Sequence, residues 1–237
     1  MTNMQRMTDG VVVFGLLALA GFLYYAAPVY PLLLTEASGL VTAQPIAGLE
    51  RGTGPNLALQ VADFAGARWR ADNVTVVANA AIGPDNAKTA YRLVEANDGG
   101  LHRIETKIVG AIPGHPNTLS LFVKAAERSK IRFEMRDEEP GKYGIVVFDL
   151  SSKMVIGTSG DVSDGGMQEL PGGWYRCWAA MPYATTTAVF NFALLAENGA
   201  GTYACNSRSG LLIWGVQFEP DADRVRGYFD GKIRAGR

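Results

Sequence analysis

The sequence predicts an all-β sandwich over residues 56–219. Three observations carry that reading. Several short runs alternate apolar and polar residues with period two. Gly- and Pro-containing turn signals separate them at intervals of about 8–20 residues. No amphipathic helical pattern of three turns interrupts the series, and no repeat of fixed period appears.

The amino-terminal region is of another kind. Residues 10–35 contain no charged side chain, and 11–27 are almost wholly apolar, with Val11, Phe14, Leu17 and Phe22 along the run. Tyr24 and Tyr25 close it, Pro28 follows, then Tyr30 and Pro31. A spanning helix needs about 20 apolar residues, so residues 1–34 read as an apolar helix or anchor that enters a membrane through 11–34. The tyrosines cluster at one end, as interfacial aromatics do. A signal peptide fits less well, because its basic region would be Arg6 alone and its apolar core is usually about 7–15 residues. The same run is also satisfied inside a protein assembly, since a segment that is apolar all round is buried by protein as well as by lipid. Residues 35–55 are rich in small residues, Gly and Pro and read as a linker or extended arm.

The strands follow. Residues 102–109 put Ile104 and Ile108 on one face and Glu105 and Lys107 on the other. Leu119, Leu121 and Val123 alternate with Ser120, Phe122 and Lys124. In 131–136 apolar Ile131, Phe133 and Met135 alternate with charged Arg132, Glu134 and Arg136, a strand with one buried and one wet face. Residues 144–150 are a near-continuous apolar run, as an inner strand requires. Phe190, Phe192 and Leu194 share a face, and residues 211–218 close the set. Gly83-Pro84-Asp85, Asp98-Gly99-Gly100, Pro140-Gly141, Asp164-Gly165-Gly166, Gly172-Gly173 and Asn198-Gly199 read as turns. Residues 220–237 read as a basic tail carrying Arg224, Arg226, Lys232, Arg234 and Arg237.

Composition narrows the function. The 22 basic residues nearly cancel the 23 acidic ones, and the sequence pI is about 6.1, so a nucleic-acid partner is not expected. Two cysteines, Cys177 and Cys205, read as small buried thiols, with one internal bridge as the alternative. Only two histidines exist, His102 and His115, without CxxC spacing, so neither a metal site nor a cofactor is expected. No nucleophile elbow or Walker loop appears. The carboxylates at Asp137-Glu138-Glu139 and at Asp161 and Asp164 read as solvated turns rather than as a facing glycosidase pair.

The order of several short motifs resembles a jelly-roll domain family found in phage tail, fibre and head-spike proteins. They run Asn56-Leu57-Ala58-Leu59, Asp63-Phe64 and Trp69; Asn73-Val74-Thr75-Val76 with Ala78-Asn79-Ala80; and Gly83-Pro84-Asp85 leading to Arg92-Leu93-Val94-Glu95. Leu121-Phe122-Val123-Lys124-Ala125, Val147-Phe148-Asp149-Leu150-Ser151, Gly173-Trp174-Tyr175-Arg176-Cys177 and 212–219 complete the series. The resemblance implies a jelly-roll β-sandwich similar in fold to carbohydrate-binding modules. It also implies a virion structural protein that binds or builds rather than catalyses. A fibre, spike or decoration component would meet other virion proteins, form a homo-oligomer and grip a host surface polysaccharide. The alternative is a carbohydrate-binding module anchored in a membrane and displayed on its extracellular face. The apolar amino-terminal segment and the basic tail depart from the family pattern.

Trp174, Tyr175 and Trp214 read as core, because they sit in strands of strong apolar alternation. Trp178 shares a face with Trp174 and Arg176, and Trp178 and Arg176 read as contact residues. Tyr183 and Tyr203, near strand ends, and Arg132 and Arg136 in the charged stripe complete the candidate ligand-binding set.

Overall fold

A computed structural model describes residues 55–96, 99–138 and 140–228. The expected anchor at 1–34, the linker apart from Pro55, and the tail beyond Tyr228 lie outside the described residues. Among the described residues no helix is long and apolar enough to cross a membrane.

The chain enters through a 3-10 turn at Leu57–Val61 and then forms strands. They are β1 (Arg70–Asp72), β2 (Val74–Ala81), β3 (Ala90–Glu95), β4 (Gly100–Val109) and β5 (Pro116–Ala125). Next come β6 (Lys130–Asp137), β7 (Tyr143–Asp149), β8 (Met154–Gly160) and β9 (Asp164–Leu170). Last are β10 (Trp174–Pro182), β11 (Thr187–Leu194), β12 (Thr202–Tyr203) and β13 (Gly210–Glu219). Two antiparallel sheets result, compatible with a β-sandwich. The first runs β1-β4-β11-β6-β7-β8, with β12 added to β4, and the second runs β2-β3-β13-β5-β10-β9.

The core is built as the alternation requires. Ile104 and Ile108, Phe133 and Met135, Val146 and Phe148, and Phe190 and Phe192 turn inward from the first sheet. Leu119, Leu121, Val123, Cys177, Ile213 and Phe218 join the same cluster from the second sheet. Aromatic rings carry the contact between layers. Phe133 meets Phe148 and Phe192 at ring separations of 4.8 and 4.7 Å, and Phe190 stacks on Phe218 at 6.2 Å. Trp69, from the segment before β1, inserts beside Phe190 and Phe192 and donates its indole N–H to the Val61 carbonyl at 2.8 Å.

One fault in the alternation is structural. Strand β13 pairs Leu211–Trp214 with Ala125–Phe122, then skips and resumes at Gln217 opposite Ser120. Gly215 sits at φ +60° in this bulge, a conformation glycine reaches without steric cost. The bulge takes Val216 O and Phe218 N out of regular pairing. Asn56 satisfies both: its Nδ2 donates to Val216 O at 3.1 Å, and its Oδ1 accepts from Phe218 N at 3.1 Å. The same Oδ1 accepts from Ala58 N at 2.9 Å and so starts the entering turn. Because of the skipped residue, Val216 and Phe218 enter the core while Gln217 and Glu219 face outward.

Two sequence expectations are corrected. Asp164-Gly165-Gly166 is not a turn but the start of β9. The glycines are there for space: a Cβ on Gly166 would collide with the Trp178 indole, and one on Gly165 would meet Val146 at 3.4 Å. Asp137 is not solvated. It is buried at the end of β6 and accepts from Lys142 N (2.9 Å), from Ala184 N and Thr185 N, and from Thr185 Oγ1 (all 3.1 Å). A charged acceptor inside a ring of amides holds two loops together.

Truncating Asn56 to alanine leaves two buried backbone groups of the bulge unpaired, at a cost of about 2–4 kcal/mol. Urea unfolding should show this as a lower midpoint with unchanged slope. A loss below about 0.5 kcal/mol would refute the role given to Asn56. Asp149 supplies a pH test. Burial alone would raise its pKa, but hydrogen bonds from Ser151 and the Lys130 ammonium at 3.2 Å hold it near 2, against 3.8 for the free group. A depressed carboxylate stabilises the fold above its unfolded pKa and loses that contribution as pH falls from about 4 to about 2. Asp149→Asn should therefore cost about 2 kcal/mol at neutral pH and flatten the acid limb of the stability curve.

Candidate functional site

The outer faces of the two sheets differ. On the second sheet the outer face is covered at its centre. Residues 220–228 fold back over β13, β5 and β10. Ala222 exchanges hydrogen bonds with Pro116 O (2.9 Å) and Thr118 Oγ1 (2.7 Å), and Gln217 Nε2 donates to Gly227 O at 3.2 Å. Tyr228 packs edge-on to Phe122 at 5.0 Å and lies 5.2 Å from Trp214. Beneath this strap Arg176 is 1% exposed. It donates to Arg226 O (2.5 Å) and Ser120 Oγ (3.0 Å), stands 4.0 Å from Glu219, and lies over the Phe122 ring. Burial lowers its pKa to about 10 despite Glu219 and Tyr228, and burial raises that of Glu219. This interior guanidinium is part of the fold, so its reading as a surface contact is corrected. The basic tail is corrected too, since its first nine residues are a packed strap.

The remaining candidates do not converge. Trp178 is half-buried on β10 and donates its indole N–H to Asp164 at 2.8 Å. Tyr183 is fully buried among core residues, and burial near Asp137 raises its pKa strongly. Tyr203 lies at one end of the sandwich, its ring tilted against His102 at 4.5 Å and under Arg128. Its hydroxyl donates to buried Glu95 at 3.0 Å, and Glu95 also takes two bonds from Arg128 at 2.9 Å and one from Asn206 N. That cluster pins the 196–210 loop. Trp174 is buried, but in the small outer cluster under the strap rather than between the sheets. Cys177 is a buried free thiol whose pKa burial raises, and Cys205 is free as well, so the bridge is excluded.

Arg132 and Arg136 do share a surface, the outer face of the first sheet. Register sets it out in three rows across β4, β11 and β6. These are Arg103–Ala193–Arg132, Glu105–Asn191–Glu134 and Lys107–Val189–Arg136. The central strand contributes only short side chains, and the flanking strands contribute long charged ones, so the face is a trough. Salt bridges line it. Arg132 meets Glu134 at 3.1 Å, Arg103 meets Asp72 at 3.0 Å, and Lys107 meets Glu138 at 2.5 Å. Glu105 is shared between Arg70 (3.3 Å), Arg136 (3.5 Å) and Arg103 (3.8 Å). Toward β1 the trough deepens into an open groove of about 560 Å³, with Val189 in its floor and residues 67–70 as one wall. Trp69 and the bond from Thr106 Oγ1 to Arg68 O (2.8 Å) fix that wall. Sequence reasoning found the β6 arginines by alternation. It missed Arg68, Arg70 and Asn191, which only strand pairing brings beside them.

Among the described residues no group of three or more His, Cys, Asp or Glu side chains gathers as a metal site. No family model matches the chain, and no curated protein sequence matches it. Among solved structures it is similar to the enzymatically active domain of tailspike protein 4 of bacteriophage CBA120, with TM-score 0.40 and 14% identity. That match covers 66% of this chain and 20% of the tailspike chain. A tryptic core variant of Bacillus thuringiensis Cry1Da matches with TM-score 0.35 and 12% identity, over 63% of this chain and 21% of that one. The chain thus spans about a fifth of either protein, and at these values neither match assigns it a fold or a function. One expectation is nevertheless corrected: the exclusion of catalysis does not stand, because the tailspike domain in this comparison is an enzymatically active one. The match establishes no activity for this chain either.

The strap gives a test that separates packing from charge. Tyr228→Ala should cost about 3 kcal/mol by emptying an aromatic site. Arg226→Ala keeps the carbonyl that Arg176 uses and should cost less than about 1 kcal/mol. Equal losses in thermal unfolding would overturn the packing account.

Proposed function

We propose that this chain is a structural subunit of a tailed phage or phage-like particle, built on a jelly roll and gripping a surface polysaccharide through its first sheet. The observation that carries the reading is the strand order. With the short or edge strands β1, β2, β8, β9 and β12 set aside, the sheets read β3-β13-β5-β10 and β4-β11-β6-β7. Numbered along the chain, those eight strands follow the order of two interlocked Greek keys, a jelly roll. The ordered motifs resemble the same architecture. The first sheet, whose outer face no described segment covers and which donors and acceptors line, is the side that offers polar groups to a sugar.

In this reading residues 1–34 attach the subunit to its particle and copies assemble around an axis. Deleting residues 1–35 should leave the circular dichroism spectrum of the sandwich intact and abolish co-sedimentation with purified particles. Mass spectrometry of those particles should find the full chain. Recovery only in a cell-membrane fraction would refute the particle assignment.

A further inference from the structure

We infer that the groove on the first sheet binds an acidic polysaccharide, with cations at its β1 end taking a sugar carboxylate and the Asn191 region taking hydroxyls. The inference rests on the polysaccharide reading above and names the class of sugar.

Charge is the first ground. Arg68, Arg70, Lys107 and Arg136 line the groove against two carboxylates, Glu105 and Glu138. Glu138 is engaged by Lys107, and Glu105 is divided among three guanidinium groups at 3.3–3.8 Å. Arg68 is exposed and has no ion-pair partner among the described residues. Arg70 is also held by Asp72 at 2.9 Å, so the arginines short of acceptors are Arg68, without an ion pair among the described residues, and Arg136, 3.5 Å from the shared Glu105. A planar carboxylate accepts two N–H bonds from a guanidinium fork and meets that shortage.

Unpaired polar atoms are the second ground. Asn191, 1% exposed and two residues along β11 from Val189, has a buried Oδ1 with no hydrogen-bond partner. Arg132, in the adjacent row across Ala193, has a buried Nε with none. One atom lacks a donor and the other lacks an acceptor. A sugar hydroxyl is both. The Arg132–Glu134 pair that shields Asn191 retains about a fifth of its side-chain exposure, so its rotation opens the path. A phosphodiester or a bare anion offers no donor to Asn191. A carboxylated sugar chain offers carboxylate, hydroxyls and an apolar ring face for Val189. The groove's size lies within the roughly 300–1,000 Å³ typical of ligand sites.

The experiment uses the full chain in mild detergent, in affinity electrophoresis and calorimetry with polygalacturonate, dextran and dextran sulfate. Polygalacturonate should bind, dextran should not, and dextran sulfate should bind more weakly. The Arg68→Ala/Arg136→Ala double variant should weaken polygalacturonate binding about tenfold or more. Lys153→Ala, which removes one exposed charge from β8's side of the molecule, should leave it unchanged. Thermal unfolding establishes that each variant is folded, and Lys107→Gln replaces the double variant if that one is not. Dextran binding that ignores the groove variants overturns this site while the polysaccharide reading stands. Dextran sulfate binding as tight as polygalacturonate overturns the carboxylate reading. Failure of all three polymers, and of a panel of neutral glycans, removes the polysaccharide reading itself.

Discussion

The bulge in β13 sets the arrangement of both faces of the second sheet. A strand that kept strict alternation after Trp214 would send Val216 and Phe218 outward and Gln217 and Glu219 into the core. The extra residue at Gly215 reverses that assignment, at the cost of two unpaired backbone groups. Asn56, 160 residues away in sequence, satisfies them. Phe218 is then free to stack on Phe190 and close the core, and Glu219 is free to face Arg176. A Cβ on Gly215 would lie 2.9 Å from the Tyr228 hydroxyl and 3.1 Å from Phe122, so the bulge also shapes the bed on which the strap lies.

From this follows the asymmetry of the molecule. The centre of the second sheet is buried on both sides, with β5 covered over most of its length, while β2 and β9 at its edges keep exposed residues. Its polar outer residues Ser120, Arg176, Gln217 and Glu219 are absorbed by the strap. A buried guanidinium of this kind is costly unless its donors find partners; the Arg226 carbonyl of the strap, Ser120 Oγ of β5, and the rings of Phe122 and Tyr228 supply them. Among the described residues the first sheet has no such cover. Its long side chains shield one another by ion pairing, which leaves an adaptable polar surface rather than a sealed one. Among the described residues, the first sheet is thus the one that no later segment closes.

Much of this was legible in the sequence, and the reasons for the rest are physical. Strands β4, β6 and β11 announce themselves because one face is apolar and the other is not. Strand β9 does not, since Asp-Gly-Gly reads locally as a turn, and only the Trp178 indole from the neighbouring strand makes glycine necessary there. Arg176 reads as exposed because alternation tells which face a residue takes and not whether a later segment covers that face. Asp137 reads as a turn acid because its amide partners at 184 and 185 are distant in sequence. The candidate trough was half visible: Arg132 and Arg136 follow from period two, whereas their neighbours depend on register between strands that sequence does not provide.

The edges of the sheets bear on how copies would meet. Both β2 and β8 are edge strands without a single charged residue, and an uncharged edge is a template for another chain. Each is interrupted instead. Strand β2 loses register between Val77 and Ala81, where Asn79 sits at φ +52°, and β8 loses it opposite Val147 and Phe148. A bulge twists an edge away from regular pairing and does the work that charge does elsewhere. Continuous strand addition between copies is thus disfavoured on both sides. Assembly about an axis would have to use side-chain surfaces, and the exposed Val77, Ile82, Met154 and Ile156 flank these same interrupted edges. The bulges that block edge pairing so leave apolar side chains as the available contact.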